Sequence, residues 1–530
     1  MNTMPIGSPF LGLNTRVPDT ALHVNKVGDF LSIATNVDLN NKGQVRRRNA
    51  TAKVITETGW HSLHLTGTTG YGVKDSVLYA LDMASFAPVS VATLTQNTAL
   101  SYVETGPDLY YSNGTDAGRI TAGTVYPLGL PTPGIPTPTT IGGNLLPATY
   151  QVATAYVNTA TGEESGISGS CNHVLSALGG IRITLPTTTP GATHINIYLS
   201  AANGSIPMWL AQVPVGTTTY DCISLGQGRA SNGRFEEPLP AGRLFLSNGK
   251  LCSIVGSRVY VGSPWLFGYY IPVNADGSAG YIDFPAPVSV AIENQAGTYI
   301  VASKTHWFPG GDLANVAAMI TDVLPFGAVP GTEFTHPTEP LVGWFSTKGV
   351  VIGDMGGQVK PLTAEAVDVV APVSGNSVVF ESDGYRRVVS CGYCVNLENS
   401  ACSTYTDWDF TSVSGNYGTK ADGIYILNCP GLVDYVIGFG KQSFGTEALK
   451  HLPAVYLGVN SDEPMQLRVQ APNDVDYTYD ARSASTDTEM QRIDPGKGLR
   501  ANWFDLSLLG TTDFLLTSVS FAPTASTRRI

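Results

Sequence analysis

One pattern recurs along the chain and limits what it can fold into. A short apolar run ends at Gly, Asn or Asp, and another short run follows. Val77-Leu78-Tyr79-Ala80-Leu81, Asp108-Leu109-Tyr110-Tyr111-Ser112-Asn113-Gly114 and Gly118-Arg119-Ile120 are early instances. The phrase returns as Arg243-Leu244-Phe245-Leu246-Ser247-Asn248-Gly249, as Arg258-Val259-Tyr260-Val261-Gly262, and as Tyr299-Ile300-Val301. It returns again as Gly349-Val350-Val351-Ile352-Gly353 and as Val378-Val379-Phe380-Glu381-Ser382-Asp383-Gly384. Such runs with turn residues between them are strands, and their recurrence every few tens of residues is the pattern of propeller blades. Helical spacing is confined to two short candidates, 28–34 and 312–320, the second capped by Asp312 after the Gly310-Gly311 turn. The expected fold is all-β: a β-propeller-like body with an inserted Ig/fibronectin-like sandwich and a C-terminal β-domain.

The domain limits follow from breaks in the pattern. Leu130-Pro131-Thr132-Pro133-Gly134-Ile135-Pro136-Thr137-Pro138 is a stiff proline-rich linker. After it, Ala148-Thr149-Tyr150-Gln151-Val152-Ala153-Thr154-Ala155-Tyr156-Val157 alternates, and further strands continue to Thr219-Tyr220-Asp221. That spacing predicts a sandwich over 139–224, set between propeller portions at 1–138 and 225–395. From 396 to 530 the strands lengthen, as in Phe514-Leu515-Leu516-Thr517-Ser518-Val519-Ser520-Phe521, and predict a C-terminal sandwich.

Charged residues are only 14% of the chain, below the ~25% usual in soluble proteins. The surface must then be made of small polar residues or be covered by neighbouring subunits. A net charge of −12 excludes wrapping of nucleic acid by the chain as a whole, yet is compatible with lining a passage that DNA slides through. Residues 1–12 lack the basic and apolar regions of a signal peptide, and no apolar run reaches the ~20 residues of a membrane-spanning helix. The expected site of synthesis is the cytosol.

Chemistry-bearing groups are sparse. Cys391-Gly392-Tyr393-Cys394 is a CxxC knuckle, with Cys402 and Cys429 behind it, and these four are the candidate metal ligands. The second pair is 27 apart with no histidine nearby, so buried structural cysteines are the favoured reading. The acidic pairs Glu163-Glu164 and Glu236-Glu237 lie in turns and are expected to be solvated. No nucleophile elbow, phosphate loop, HExxH or dinucleotide fingerprint is present. No enzyme activity, cofactor or metal is expected.

Residues 10–49 form the remaining distinctive stretch. Val37 and Leu39 alternate with polar neighbours, Asn40-Asn41-Lys42-Gly43 supplies a turn, and Val45 leads into Arg46-Arg47-Arg48. This predicts a hairpin entering the β-body and pinning the first blade. Alternation along an extended strand divides the arginines between two faces. They suit ion pairing in an assembly better than a phosphate patch.

The phrase Gly12-Leu13-Asn14, Pro18, Asn36-Val37-Asp38-Leu39, Gly43, Arg46-Arg47-Arg48 resembles the opening of the tail tubular or nozzle proteins of short-tailed bacteriophages. Leu452-Pro453-Ala454-Val455-Tyr456-Leu457, Gly496-Lys497-Gly498-Leu499-Arg500-Ala501-Asn502-Trp503 and the closing Arg528-Arg529-Ile530 are similar to the C-terminal parts of related phage structural proteins. Asn49-Ala50 stands where that family usually has proline-glycine after the arginines. The resemblance implies a non-enzymatic virion protein, made in the bacterial host cytoplasm. It would form a homo-oligomeric ring, six subunits favoured and three the alternative, around the DNA exit channel. Its partners would be the adaptor, fibres and other tail proteins, with viral DNA passing through without specific binding. Arg46, Arg47, Arg48, Arg528 and Arg529 are the assembly candidates. The alternative is a peripheral receptor-binding or baseplate protein that touches the bacterial outer surface.

Overall fold

The structure, a computed structural model, describes residues 4–6, 9–23, 28–226, 228–232, 235–264, 266–274, 277–310, 313, 320–382, 384–496 and 498–526, apart from the side chains of 485–489. Strand makes up 54% of the chain, and the one helical element among the described residues is a 3-10 turn, Asp19–Ala21. The fold is all-β.

Six four-stranded antiparallel sheets, and four antiparallel strands at one end of a larger sheet, form the seven blades of the propeller. Blade 1 is His61–Thr66, Thr69–Lys74, Val77–Asp82 and Pro88–Thr93, and blade 2 is Ser101–Thr105, Asp108–Ser112, Ala117–Thr121 and Thr124–Pro127. Blade 3 is Arg243–Ser247, Lys250–Val255, Arg258–Tyr260 and Tyr281–Asp283. Blade 4 is Val290–Asn294, Gly297–Val301, Thr305–Pro309 and Thr321–Leu324, and blade 5 is Phe334–Thr335, Val342–Ser346, Gly349–Gly353 and Val359–Pro361. Blade 6 is Ser377–Ser382, Tyr385–Ser390, Tyr393–Asn396 and Cys402–Thr404. Blade 7 takes Ser412–Ser414, Tyr417–Lys420 and Gly423–Cys429 from its own region, and its outer strand, Ala50–Ile55, from far upstream. Ile55 pairs with Ile424, and Ala50 with Cys429. The chain then runs into the first strand of blade 1, which packs against the first strand of blade 7. One N-terminal strand therefore closes the ring.

The recurring Asn-Gly turns do what their chemistry dictates. Asn248 and Gly249 both have positive φ, 49° and 70°, and join Ser247 to Lys250 as a two-residue hairpin loop. The apolar faces of successive blades meet in shared cores. Val73 and Leu78 pack with Leu109 and Ile120, Phe245 and Ile254 with Ile300 and Phe308, and Phe380 with Trp408 and Phe410.

The insert falls between blades 2 and 3. One sheet is Thr137–Leu145, Gly179–Thr184 and Thr219–Cys222. The facing sheet is Ala148–Asn158, Glu163–Glu164, Cys171–Leu175, His194–Ser200 and Pro207–Pro214. Tyr150, Val152, Ile181, Ile183, Ile195 and Leu199 fill the space between them. The chain does not leave the insert at 224. Residues 228–232 lie along its outer face, where the Trp209 amide donates to the Arg229 carbonyl at 2.8 Å. The exit lies beside the entry linker, with Thr132 Oγ1 donating to the Glu236 carbonyl at 3.2 Å.

The second sandwich is built from both ends of the chain. One sheet holds Met4–Ile6, Val37–Leu39, Val45–Arg47, Val455–Ser461, Ser485–Ile493 and Phe514–Phe521. The other holds Ile33–Thr35, Tyr435–Gln442, Gln466–Ala471, Val475–Asp480 and Phe504–Gly510, and runs on through Cys402–Thr404 into blade 6. Alternation is clean in Gln466–Ala471, where Leu467, Val469 and Ala471 are buried and their neighbours are half-exposed. The sandwich core includes Phe10, Leu31, Val37, Leu457, Leu506 and Phe521. It is continuous with Phe345 and Val350 of blade 5 and Val388 and Val395 of blade 6.

Several expectations differ from this arrangement. Residues 28–34 are extended, in the strands Asp29–Leu31 and Ile33–Thr35, because Leu31 and Ala34 are drawn into the sandwich core. The 312–320 helix candidate lies outside the described residues except for Leu313 and Ile320. The propeller continues past 395 to Cys429, and the N-terminal hairpin belongs to the terminal sandwich rather than to the first blade.

Candidate functional site

The stretch between the terminal sandwich and the closing strand is where the chemistry of this molecule concentrates. The hairpin Val37–Leu39 and Val45–Arg47 pairs Asp38 with Arg46 in register. Its turn is held by Asn40, whose Oδ1 accepts the amides of Lys42 and Gln44 at 3.0 Å each. Gly43 has φ +68°, and a Cβ there would stand 2.4 Å from Pro9 Cβ, so glycine is required. The turn sits on blade 6: Asn396 Nδ2 donates to the Leu39 carbonyl and to Asn41 Oδ1, both at 3.0 Å. Upstream, Gly12 (φ +91°) brings its backbone so close to Cys402 that a Cβ would stand 2.5 Å from the Cys402 amide nitrogen.

The hairpin is covered on both sides, so Asp38 is buried although strand alternation alone would turn it outward. Its carboxylate lies 3.3 Å from the Arg387 Nε of blade 6, with the two side chains 0% and 2% exposed. Tyr405 OH donates to Asp38 Oδ1, and the Cys394 thiol lies 3.6 Å from the same oxygen. Arg387 reaches on to Ser382 Oγ at 2.6 Å and Asn428 Oδ1 at 3.0 Å. Burial opposes the Arg387 charge, but Asp38 and the surrounding groups outweigh it and raise its pKa. Burial likewise pushes the Tyr405 hydroxyl far up, so it stays a hydrogen-bond donor.

Arg48 is the second cation of this joint. Its Nε donates to Asn36 Oδ1 at 2.8 Å, Nη1 to the Asn49 carbonyl at 3.0 Å and Nη2 to the Thr406 carbonyl at 3.1 Å. Its guanidinium lies 4.8 Å from the Tyr405 ring centre, and burial lowers its pKa. Asn36, at φ 55°, turns the chain and donates to Thr406 Oγ1 and the Asp434 carbonyl at 2.7 Å each. Arg46 lies 5.9 Å from the Tyr385 ring centre, and Arg47 points elsewhere, donating to the Thr511 carbonyl at 2.7 Å. The expectation that Arg48 reaches an acidic neighbour in an assembly gives way to a contact inside its own chain, because the strand exit is buried against blade 6. Arg528 and Arg529 lie outside the described residues.

The four candidate cysteines are distributed along blades 6 and 7. Cys394 and Cys402 are buried in separate cores, and Cys429 Sγ approaches the Ala50 carbonyl at 3.4 Å. Burial raises Cys391 to about 11 and Cys402 to about 12, which disfavours the thiolate a metal needs. Among the described residues, no three His, Cys, Asp or Glu side chains gather as a metal site.

A second polar joint holds the insert, and sequence reasoning missed it. Glu163 and Glu164 are not solvated; each is 11% exposed. Glu163 pairs with Arg119 of blade 2 at 3.1 Å and accepts from Tyr269 OH. Glu164 accepts from Arg229 of the outer segment 228–232, Tyr198 OH and Asn196 Nδ2. Burial alone would raise the Glu164 pKa, but these donors reverse it and hold the carboxyl below its usual range. The signal available was the set of oppositely charged and tyrosine side chains, but their pairing across 44 to 106 residues is invisible without the fold.

A cavity of about 490 Å³ opens between the first strands of blades 5, 6 and 7, lined by Glu333, Phe334, Val379, Glu381, Ser414 and Asn428. Its carboxylates face cations: Glu333 pairs with Arg243 at 3.3 Å and Glu381 with Arg386 at 3.1 Å.

Fold and joints together define a seven-bladed propeller closed by its N-terminal strand, with a sandwich of both termini fused to its side. No protein-family model matches the chain, and no curated protein matches it. Among solved structures it is similar to the computationally designed Ika8 protein at 10% identity, covering 72% of this chain and 99% of that one, with a TM-score of 0.32. It is similar to Saccharomyces cerevisiae Sqt1 at 9% identity, covering 72% and 100%, with a TM-score of 0.31. It is also similar to the extracellular domain of the putative one component system BT4673 from B. thetaiotaomicron, at 10% identity, covering 91% and 90%, with a TM-score of 0.23. These distant likenesses bear on neither function nor partners.

Proposed function

We propose that the chain is a non-enzymatic structural subunit of a bacteriophage tail, a homo-oligomeric ring at the tube end through which DNA leaves and on which other tail proteins dock. The observation that carries this reading is where the resembling N-terminal phrase lies. Gly12, Asn36, Asp38 and Arg48 join the terminal sandwich to blade 6 and lead into the closing strand, and Gly43 shapes the turn of the same hairpin. Two glycines that admit no Cβ and one partner of a buried ion pair are residues that a shared local fold would keep. The low charged content also suits a subunit covered by its neighbours. Imaging of intact phage particles tests the reading. Density for this chain as a ring on the tail axis is expected, with six copies. A peripheral trimer would favour the receptor-binding alternative, and absence of the chain from the particle would remove both.

A further inference from the structure

One end of the insert gathers exposed aliphatic side chains. Leu145 pairs with Gly179 and Ala148 with Leu175, while the Thr149 amide donates to Asn203 Oδ1. These pairings bring the turns at 146–147, 176–178 and 201–206 to the end away from the Glu163–Arg119 joint. Leu146, Val174, Leu178, Ile206 and Ile223 stand there between 52% and 65% exposed. Residues 141–149, 171–180, 200–207 and 222–226 contain no Asp, Glu, Lys or Arg. The charges next to these stretches in sequence, Arg182 and Asp221, pair with each other at 2.7 Å. His173, in the same stretch, shares a 2.9 Å hydrogen bond with Thr140 Oγ1, and the adjoining Tyr150 is buried.

We infer that this uncharged apolar end is a contact between copies of the chain, an inference that rests on its being an assembling subunit. Two chains of net charge −12 repel wherever their acidic surfaces face each other, and this end lets them approach without that cost. Interface cores are depleted of charge in the same way, and several adjacent exposed aliphatic side chains are unusual on a monomer. A lipid surface is a poor match, since the end offers neither Lys or Arg for headgroups nor exposed Trp or Tyr for the interface.

The test compares the full-length protein with a Leu178→Asp, Ile206→Asp double variant by sedimentation equilibrium. The wild-type mass should rise above the 56.0 kDa of one chain as concentration increases, and the variant should self-associate at least tenfold more weakly. Circular dichroism should be unchanged; if it is not, Leu178→Ser with Ile206→Ser reads the same contact without burying charge. A monomeric wild type, or a variant of unaltered mass, overturns the inference. So does binding of the wild type to phosphatidylcholine vesicles without self-association. Variant rings on the tail axis identical to wild type would overturn the contact and leave the tail-subunit reading standing, whereas absence of the chain from particles removes that reading whatever the mass.

Discussion

The two sandwiches are attached to the propeller in opposite ways. The insert is one continuous segment whose entry and exit touch at Thr132 and Glu236, has its own core, and is fixed by polar contacts around Glu163. The terminal sandwich is assembled from segments at both ends of the chain, shares an apolar core with blades 5 and 6, and buries the Asp38–Arg387 pair where they meet. The first is an appendage with a core and a polar joint of its own. The second is part of how the ring closes, because the strand leaving its hairpin is the outer strand of blade 7.

The sharpest break in this comparison comes from deletion. Removing 133–235 should leave soluble protein with a cooperative melt, since the ends to be joined already lie together. Removing the first 49 residues should abolish soluble protein, since it strips strands from both terminal sheets and exposes their core. Sedimentation and thermal melts of the two deletions check this, and equal tolerance would dissolve the distinction. Next in size, Asp38→Asn leaves the Arg387 charge buried beside a neutral group and should cost about 3–5 kcal/mol in denaturant unfolding. Glu163→Gln should cost about 1–3 kcal/mol, the usual range for leaving a buried donor poorly matched, and should loosen the insert without unfolding the ring. Small-angle scattering would detect the loosened arm.

The smallest effect is one of pH. The Glu164 carboxyl is held below its ordinary 4.5, so the stability it gives is fully present above that value and is lost as pH falls through the folded-state pKa. Acid titration of insert melting should therefore steepen below pH 4.5 in wild type and flatten in Glu164→Gln. Equal slopes would mean the cluster does not stabilise the charged form.

Local alternation and Asn-Gly turns made the strands, the linker and the insert legible, because those signals act within ten residues. The blade number was not legible, since one outer strand, Ala50–Ile55, pairs with residues of Gly423–Cys429 that lie 369 to 379 positions away. Glu163 was misjudged, and Asp38 passed over, for one physical reason. Alternation and turn position predict exposure only where one side of a segment faces water, and both residues are covered on the other side by a second module. The same coverage turned Arg48 from an assembly candidate into an internal tie.

The ionic joint of Asp38 and Arg387 ties the termini to blade 6. A double-mutant cycle on Asp38→Asn and Arg387→Met, read by denaturant unfolding, tests it most directly. The double variant should lose less than the sum of the single losses, with a coupling of about 1–3 kcal/mol. Additivity within about 0.5 kcal/mol would contradict it.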